Sequence, residues 1–285
     1  MVPETKNMGF PPELKDVARS DYAKAKKRAE ELKAQADDTA RIAKVLEELN
    51  SYMDKAWPFH ILYLLDKESK LLERAERDLD LDIQSIDEVY RVTKEQADAI
   101  KRRYPSYLEK ACQDVGLALD PESRHPIYSL EQRFFQLKVD EKKWIAKLSD
   151  LGGRLGEIPA DVDAIIEKLL MEKDRIFGRS FDGHGFLKLL RSEYLAAVKK
   201  DKQVDGASIP IRRIIPGSRS GKKKSVKAYR SDEFLFDLSR LVEQGTFEID
   251  GYRLDLQHTK DTSQGMLLHG SACRGYIGFV LFRKV

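Results

Sequence analysis

The feature that most constrains this chain is a stretch of 45 residues, from Glu13 to Trp57, that contains neither glycine nor proline. The stretch is rich in alanine, glutamate, lysine and leucine, which are among the residues with the highest helix propensity. Because proline is disfavoured in a helix interior, Pro58 marks the end of the stretch. The sequence therefore predicts one long helix. The chain's charged share of 35% fits this, since long exposed helices raise it above the usual ~25%.

Residues spaced alternately four and three apart form a coiled-coil-like seam along this helix. The seam positions are Ala18, Tyr22, Ala25, Ala29, Leu32, Ala36, Thr39, Ala43, Leu46, Asn50 and Met53. Because the first half is mostly alanine, a partner helix must approach closely, and little apolar area is available to hold a dimer. We favour packing against later helices of the same chain. Self-association or docking on a partner protein through residues 13–57 is the alternative.

The rest of the chain predicts an α+β protein. Apolar patterns indicate helices over about 60–80, 86–104 and 107–115, which complete an elongated N-terminal helical arm, residues 1–118. Antiparallel folding back of these helices would give a helical hairpin or bundle. A smaller mixed α/β domain, residues 119–285, follows a polar break with Pro121 and Pro126. Alternation predicts a β-hairpin from 135–139 and 144–148. Further helices are expected at 160–177, 185–200 and 232–243, and strands at 208–215, 246–249, 253–257 and 276–283. Asp250-Gly251 predicts a tight turn between two of these strands. The last strand is apolar on both faces, which predicts a central position in its sheet.

Cysteine content and hydropathy exclude several classes of protein. Cys112 and Cys273 are far apart and form neither a disulfide framework nor a metal-binding pair, which favours a reducing, cytoplasmic location. No His, Cys or Asp cluster has a metal-site spacing, and no cofactor is predicted. The longest apolar run in the first half, from Ile61 to Leu65, is far shorter than the ~20 residues of a membrane span. We therefore expect no membrane association.

A basic segment, residues 211–230, is the clearest charge feature. Its eight basic residues are Arg212, Arg213, Arg219, Lys222, Lys223, Lys224, Lys227 and Arg230, and no acidic residue lies between Gly206 and Arg230. From Asp201 onward, 15 basic and 10 acidic residues give +5, so the remainder of the +3 chain carries −2. Such a segment attracts polyanions, because each neutralised phosphate releases counterions. The sequence predicts contact with the phosphate backbone of DNA or RNA, with Tyr229 as a possible stacking surface.

Two glycine-rich stretches fall short of phosphate-loop motifs. Gly217 and Gly221 have three residues between them where the Walker pattern needs four, and Lys223 replaces the Ser or Thr that ligates magnesium, so we reject an NTPase. Gly152-Gly153-Arg154-Leu155-Gly156 has amides that could hold an anion, but it lacks the full dinucleotide spacing. We interpret it as a plain turn.

A cluster near the C-terminus is the best place to seek catalysis. His258 and Lys260 follow a predicted strand, and His269 and Cys273 precede the last one. His258-Thr259-Lys260 resembles the His-x-Lys of the phospholipase D superfamily, but Gly265 stands where that family's pattern has aspartate. A cysteine nucleophile, Cys273 activated by His269 or His258, is also open. The leading hypothesis is a non-catalytic, complex-forming subunit that binds nucleic acid. A hydrolase or nuclease-like enzyme that uses this cluster is the alternative.

Overall fold

A computed structural model of the chain describes residues 12–79, 83–216, 229–261, 263, 265–270 and 275–285. The fold is mixed α+β, as predicted: a long N-terminal helix, further helices and antiparallel sheets. It divides into two compact units, residues up to Ala97 and residues from Asp98 onward. The second unit contains more of the chain than the first.

Three helices make up the first unit. Helix α1 spans Pro12–Asp54, α2 spans Pro58–Leu79 and α3 spans Ile83–Lys101, the last reaching into the second unit. The 43 residues of α1 extend about 65 Å at 1.5 Å per residue. The helix ends before Ala56, whose positive φ of 52° breaks the helical path. Pro58 then occupies the first turn of α2, where its missing N–H costs nothing.

Helix α2 folds back along the second half of α1. The ring of Tyr52 lies 5.0 Å from that of His60, and Arg41 forms an ion pair of 2.6 Å with Glu68. Later residues of α1 thus contact earlier residues of α2, so the two helices are antiparallel. The shared core consists of Ile42, Val45, Leu49, Ile61, Leu64, Leu65, Leu71, Leu72 and Ala75. The predicted antiparallel helical hairpin is therefore present in this unit.

The predicted seam of α1 is not the buried one. The structure buries Ile42, Val45 and Leu49, whereas the seam residues Ala43 and Asn50 are exposed. Ile42 and Leu49, one position before Ala43 and Asn50, decide which face meets α2, because they remove more apolar area from water. Every side chain from Glu13 to Arg41 is exposed. Packing within the chain was thus the correct prediction only for the second half of α1.

The second unit begins with α4, Tyr104–Asp114, and a four-stranded antiparallel meander. The strands are β1 Ile127–Leu130, β2 Phe135–Asp140, β3 Ile145–Asp150 and β4 Gly153–Pro159. The predicted hairpin is confirmed, with Leu137 opposite Leu148 and Val139 opposite Ala146. Strand β4 was not predicted, because its glycines at 153 and 156 weaken the strand signal.

A second antiparallel sheet has the strand order β5-β9-β7-β6, with β8 also paired to β9. The strands are β5 Ile209–Pro210, β6 Glu248–Ile249, β7 Tyr252–Thr259, β8 Met266–Leu267 and β9 Tyr276–Lys284. The last strand is central, as predicted. Asp250 and Gly251, both at positive φ, form the expected tight turn between β6 and β7. The strand predicted at 208–215 is wrong beyond Pro210, since Ile211–Arg213 form a 3₁₀ turn that buries Ile211.

Three helices accompany these sheets: α5 Val162–Phe177, α6 Gly183–Lys200 and α7 Ser231–Gln244. The apolar faces of α6 and α7 and the second sheet share one core, which includes Leu187, Leu190, Tyr194, Phe234, Leu238, Leu241, Ile277, Val280 and Phe282. Among the helices in the described ranges, none is both long and apolar enough to cross a bilayer.

Candidate nucleic-acid interface

The two described parts of the basic segment meet at one backbone hydrogen bond. The backbone N–H of Tyr229 donates to the carbonyl of Pro216 at 3.1 Å. Residues 217–228, which contain Arg219, Lys222, Lys223, Lys224 and Lys227, lie outside the described residues. The residues that flank 217–228 are therefore hydrogen-bonded to each other, and five of the eight basic residues lie between them in the sequence.

The other three arginines of the segment are held by the fold. Arg212 donates to the carbonyl of Gly265 at 2.9 Å. Arg213 pairs with Asp201 at 2.6 Å, and Arg230 pairs with Asp232 at 3.3 Å. The side chains of Arg213 and Arg230 nevertheless remain 44% and 53% exposed. A phosphate can therefore reach these two only in competition with an existing carboxylate partner.

Ion pairs between the α5 region and α7 hold the chain that directly follows the basic segment. Arg175 donates to Asp232 and, at 2.9 Å, to Glu233. Arg179, just beyond α5, donates to Asp237, and Asp232 and Asp237 are both almost fully buried. Charge-assisted bonds of this kind are stronger than neutral ones, especially away from water. They fix the first turn of α7 directly after the basic segment.

Tyr229 belongs to this anchor. Its ring packs against Phe186, with 6.1 Å between centroids, and the guanidinium of Arg179 lies 5.3 Å from the ring. Burial, followed by the nearby charge of Asp237, raises the pKa of the phenol. One ring face is thus already engaged by a cation. The stacking role expected for Tyr229 competes with this contact.

A pair of aspartates joins the β3–β4 turn to the same helix end. Asp150 accepts hydrogen bonds from the amides of Gly152 and Gly153 at 2.7 and 2.8 Å. The glycine turn thus holds an anion, but that anion is the chain's own carboxylate. Burial, and then the charge of Asp232, raises the pKa of Asp150 to about 6. Asp232, held by Arg175, has a lowered pKa, so the pair shares one negative charge more readily than two.

The three described residues of the predicted catalytic cluster, His258, Lys260 and His269, do not share one environment. His258 and Lys260 are exposed at the end of β7, and His269 is half-buried between β8 and β9. His258 lies over Gly275, where a Cβ would be 3.0 Å from its Nδ1 atom. Cys273 lies outside the described residues. Among the described residues, the rings of His258 and His269 have no contact residue in common.

His269 lies in an aromatic group. Its ring is 5.2 to 5.7 Å, between centroids, from those of Phe134, Phe177 and Phe236. Its backbone N–H donates to the hydroxyl of Ser239 at 2.8 Å. Burial lowers the pKa of the imidazole. These contacts are typical of a neutral imidazole in a packed interior. Protonation would place a positive charge away from water, which is unfavourable.

A cavity of about 630 Å³ lies beside His258. Three of its lining side chains are basic: Arg253, Arg283 and Lys284. Arg283 is paired across the sheet with Asp255 at 2.7 Å. His269 is not among the lining residues, so this cavity does not unite the predicted cluster.

Sequence reasoning missed a hydrogen-bonded chain of Glu141, His125 and Tyr128. His125 Nε2 lies 3.0 Å from the Glu141 carboxylate, and its Nδ1 lies 2.8 Å from the Tyr128 hydroxyl. His125 and Tyr128 line a cavity of about 560 Å³, together with Cys112. Burial raises the pKa of Tyr128 to about 12 and that of Cys112 to about 11, which keeps both protonated and unreactive at neutral pH. The three residues follow no catalytic spacing in the sequence. Their hydrogen bonds link β1 to the turn after β2, which indicates a structural role.

Within the described parts of the chain, no group of three or more His, Cys, Asp or Glu side chains is arranged to hold a metal ion. Comparison with protein-family models, with curated proteins and with solved structures gives no match at all. The chain is defined by its α+β fold, the exposed first part of α1 and the backbone hydrogen bond between Pro216 and Tyr229 within its basic segment.

Proposed function

We propose that this protein is a nucleic-acid-associated, complex-forming subunit. It contacts the phosphate backbone of DNA or RNA through the basic segment, residues 211–230, and assembles with a protein partner through its helical arm. The observation that carries the proposal is the Pro216–Tyr229 closure beside the anchored start of α7. Five positive and no negative side chains lie between these two residues in the sequence.

Physical arguments support backbone contact over base recognition. Lysine is a compact, well-hydrated charge that binds phosphate without a fixed geometry. Four of the five basic residues between the two ends are lysines. Binding dominated by such contacts depends steeply on salt and only weakly on base sequence.

The test is the salt dependence of binding to a duplex of mixed sequence. Replacement of Lys222, Lys223 and Lys224 by alanine removes up to three phosphate contacts. At ~0.9 per contact, the slope of log K against log salt is expected to fall by up to about three. Fluorescence anisotropy over ~50 to 300 mM salt measures this slope.

The matched control replaces Lys138, Lys142 and Lys143, three exposed lysines of the meander, by alanine. Both triple variants change the net charge from +3 to 0, by 3 − 3. The control is expected to keep the wild-type slope. An equal loss in both variants would indicate a general charge effect, and an unchanged slope in the Lys222 set would remove the basic segment from the interface.

A further inference from the structure

The first part of helix α1 shows a self-complementary surface, which we call the arm stripe. It consists of Ala18, Tyr22, Ala25, Ala29, Leu32, Ala36, Thr39 and Ala43, all exposed. At 3.6 residues per turn these eight positions form one line along the helix. The line lies about 140° round the helix axis from the face that packs on α2. A second helix can therefore pack on the arm stripe without displacing α2.

The arm stripe has matched halves. If a second copy of α1 runs antiparallel, its positions pair as Ala18 with Ala43, Tyr22 with Thr39, Ala25 with Ala36 and Ala29 with Leu32. Each bulky residue then faces a smaller one, so two helices approach closely along the whole stripe. Parallel pairing in register instead places Tyr22 against Tyr22 and Leu32 against Leu32, with alanines between them, and leaves gaps that lose contact energy.

The charges beside the stripe select the same orientation. Lys26, Glu30, Lys33 and Asp37 each follow a stripe residue directly, so all four lie on one edge. Their signs alternate as plus, minus, plus, minus. In an antiparallel pair with two-fold symmetry the same edge of both helices meets, and the order reads reversed. Lys26 then faces Asp37 of the second copy, and Glu30 faces Lys33.

These four charges have no ion-pair partner among the described residues of their own chain. Other charges of α1 pair within the helix: Arg19 with Asp16, Lys24 with Asp21, Arg28 with Glu31 and Lys44 with Glu48. The four inner charges of this edge therefore remain available. Its two end residues, Arg19 and Lys44, would face each other with like charge, but each is already paired within its own helix.

We infer that the assembly partner of the arm is a second copy of this chain, with the two α1 helices antiparallel across the arm stripe. This inference rests on the proposed role of the arm in assembly. The helices overlap from residue 14 to residue 47, about 50 Å, over a strip about 10 Å wide. Each copy buries about 500 Å², about 1,000 Å² in total, the lower end for a specific interface. For an interface of this size with a mostly alanine core, we expect a weak dimer with a dissociation constant in the micromolar range.

Sedimentation equilibrium of the full chain at about 1 to 200 μM, without nucleic acid, tests the inference over the range in which a micromolar dimer dissociates. Wild-type protein is expected to show a monomer–dimer equilibrium. Ala25→Gln keeps a good helix former but adds bulk to an alanine–alanine layer, so the dissociation constant should rise at least about tenfold. Because Ala25 is exposed in the single chain, the helical circular dichroism should not change.

A charge exchange tests the orientation. Lys26→Asp and Asp37→Lys each break two symmetry-related pairs and introduce repulsion, and each should weaken the dimer about 5- to 10-fold. The double variant should restore the affinity to within about threefold of wild type. Parallel pairing predicts no rescue, because positions 26 and 37 are about 16 Å apart along the helix. Lys27→Asp, which makes the same charge change on the far side of the helix, is the matched control and should have no effect.

A chain that stays monomeric at about 200 μM overturns the inference and assigns the arm stripe to a different partner. A double variant that fails to regain affinity overturns the antiparallel register. Either result leaves nucleic-acid binding by the basic segment intact, since that is measured separately. Conversely, the Lys222, Lys223 and Lys224 variant should dimerise as wild type does even if it no longer binds duplex.

Discussion

Replacement of Asp150 by asparagine should stabilise this protein at neutral pH. The Oδ1 atom of Asp150 accepts the amides of Gly152 and Gly153, and its buried Oδ2 atom has no hydrogen-bond partner among the described residues. Asparagine keeps the accepting oxygen. It also places an NH₂ group beside the Asp232 carboxylate, where the wild-type protein has a second negative charge.

The magnitude follows from the raised pKa of Asp150. Ionisation at about 6 in the fold, against 3.8 in the unfolded chain, is a difference of about 2 pKa units, or about 3 kcal/mol. Partial exposure of the carboxyl reduces this by solvent screening, so we expect a gain of about 1 to 2 kcal/mol at pH 8. Between pH 4 and 6 the unfolded state loses its proton first, so wild-type stability falls as pH rises through this window. The variant lacks this loss, and the two proteins should be equally stable below pH 4.

Urea unfolding at pH 4, 6 and 8 measures the difference. Trp144 fluorescence, in a Trp57→Phe background for all proteins, reports on the second unit. Asp140→Asn is the matched control, because Asp140 accepts the amides of Lys142 and Lys143 in the turn of the preceding hairpin. It should leave the pH dependence unchanged. A variant at Asp150 that is less stable than wild type at pH 8, or a difference that persists at pH 4, would refute the reasoning.

Two further substitutions probe contacts around α7 and the aromatic group. Gly152→Ala should cost about 1 to 3 kcal/mol in urea unfolding, since a Cβ there would lie 2.6 Å from the backbone nitrogen of Asp232 and force the turn away from α7. A wild-type midpoint would show that the turn does not pack on α7. His269→Phe should flatten the rise of stability with pH below about pH 6.5, because the lowered pKa of the imidazole makes its protonation in the unfolded state destabilising there. An unchanged slope would place the titration elsewhere.

Local signals in the sequence were sufficient for most of the elements. The glycine- and proline-free stretch gave α1, and the Asp250-Gly251 turn and the two-faced apolar pattern gave the centre of the second sheet. Where several local signals agree, tertiary contacts have little to override. Periodicity failed on the buried face of α1, because a spacing rule weighs Ala43 and Ile42 alike, whereas burial depends on apolar area.

The site could be predicted only in part for a related reason. Charge composition located the basic segment, because an excess of one sign needs no tertiary information. The anchor beneath it could not be found this way: Arg175, Asp232 and Asp150 are separated by long stretches of chain and meet only through the packing of α5, α7 and the meander. Ion pairs of this kind have no sequence spacing, so their pKa shifts become visible only in the fold.

The two proposals, taken together, have a quantitative consequence for nucleic-acid binding. A dimer through the arm carries two basic segments, and a duplex long enough to reach both is bound by a second contact that is intramolecular. Each segment alone, with a handful of lysine–phosphate contacts, gives the weak and salt-sensitive affinity typical of non-specific binding. Linking two of them multiplies affinity by 10² to 10⁴ without any new contact, provided that the geometry permits both. Variants such as Ala25→Gln should therefore lower the affinity for long duplexes while leaving that for short ones unchanged, although no residue of the arm touches the nucleic acid.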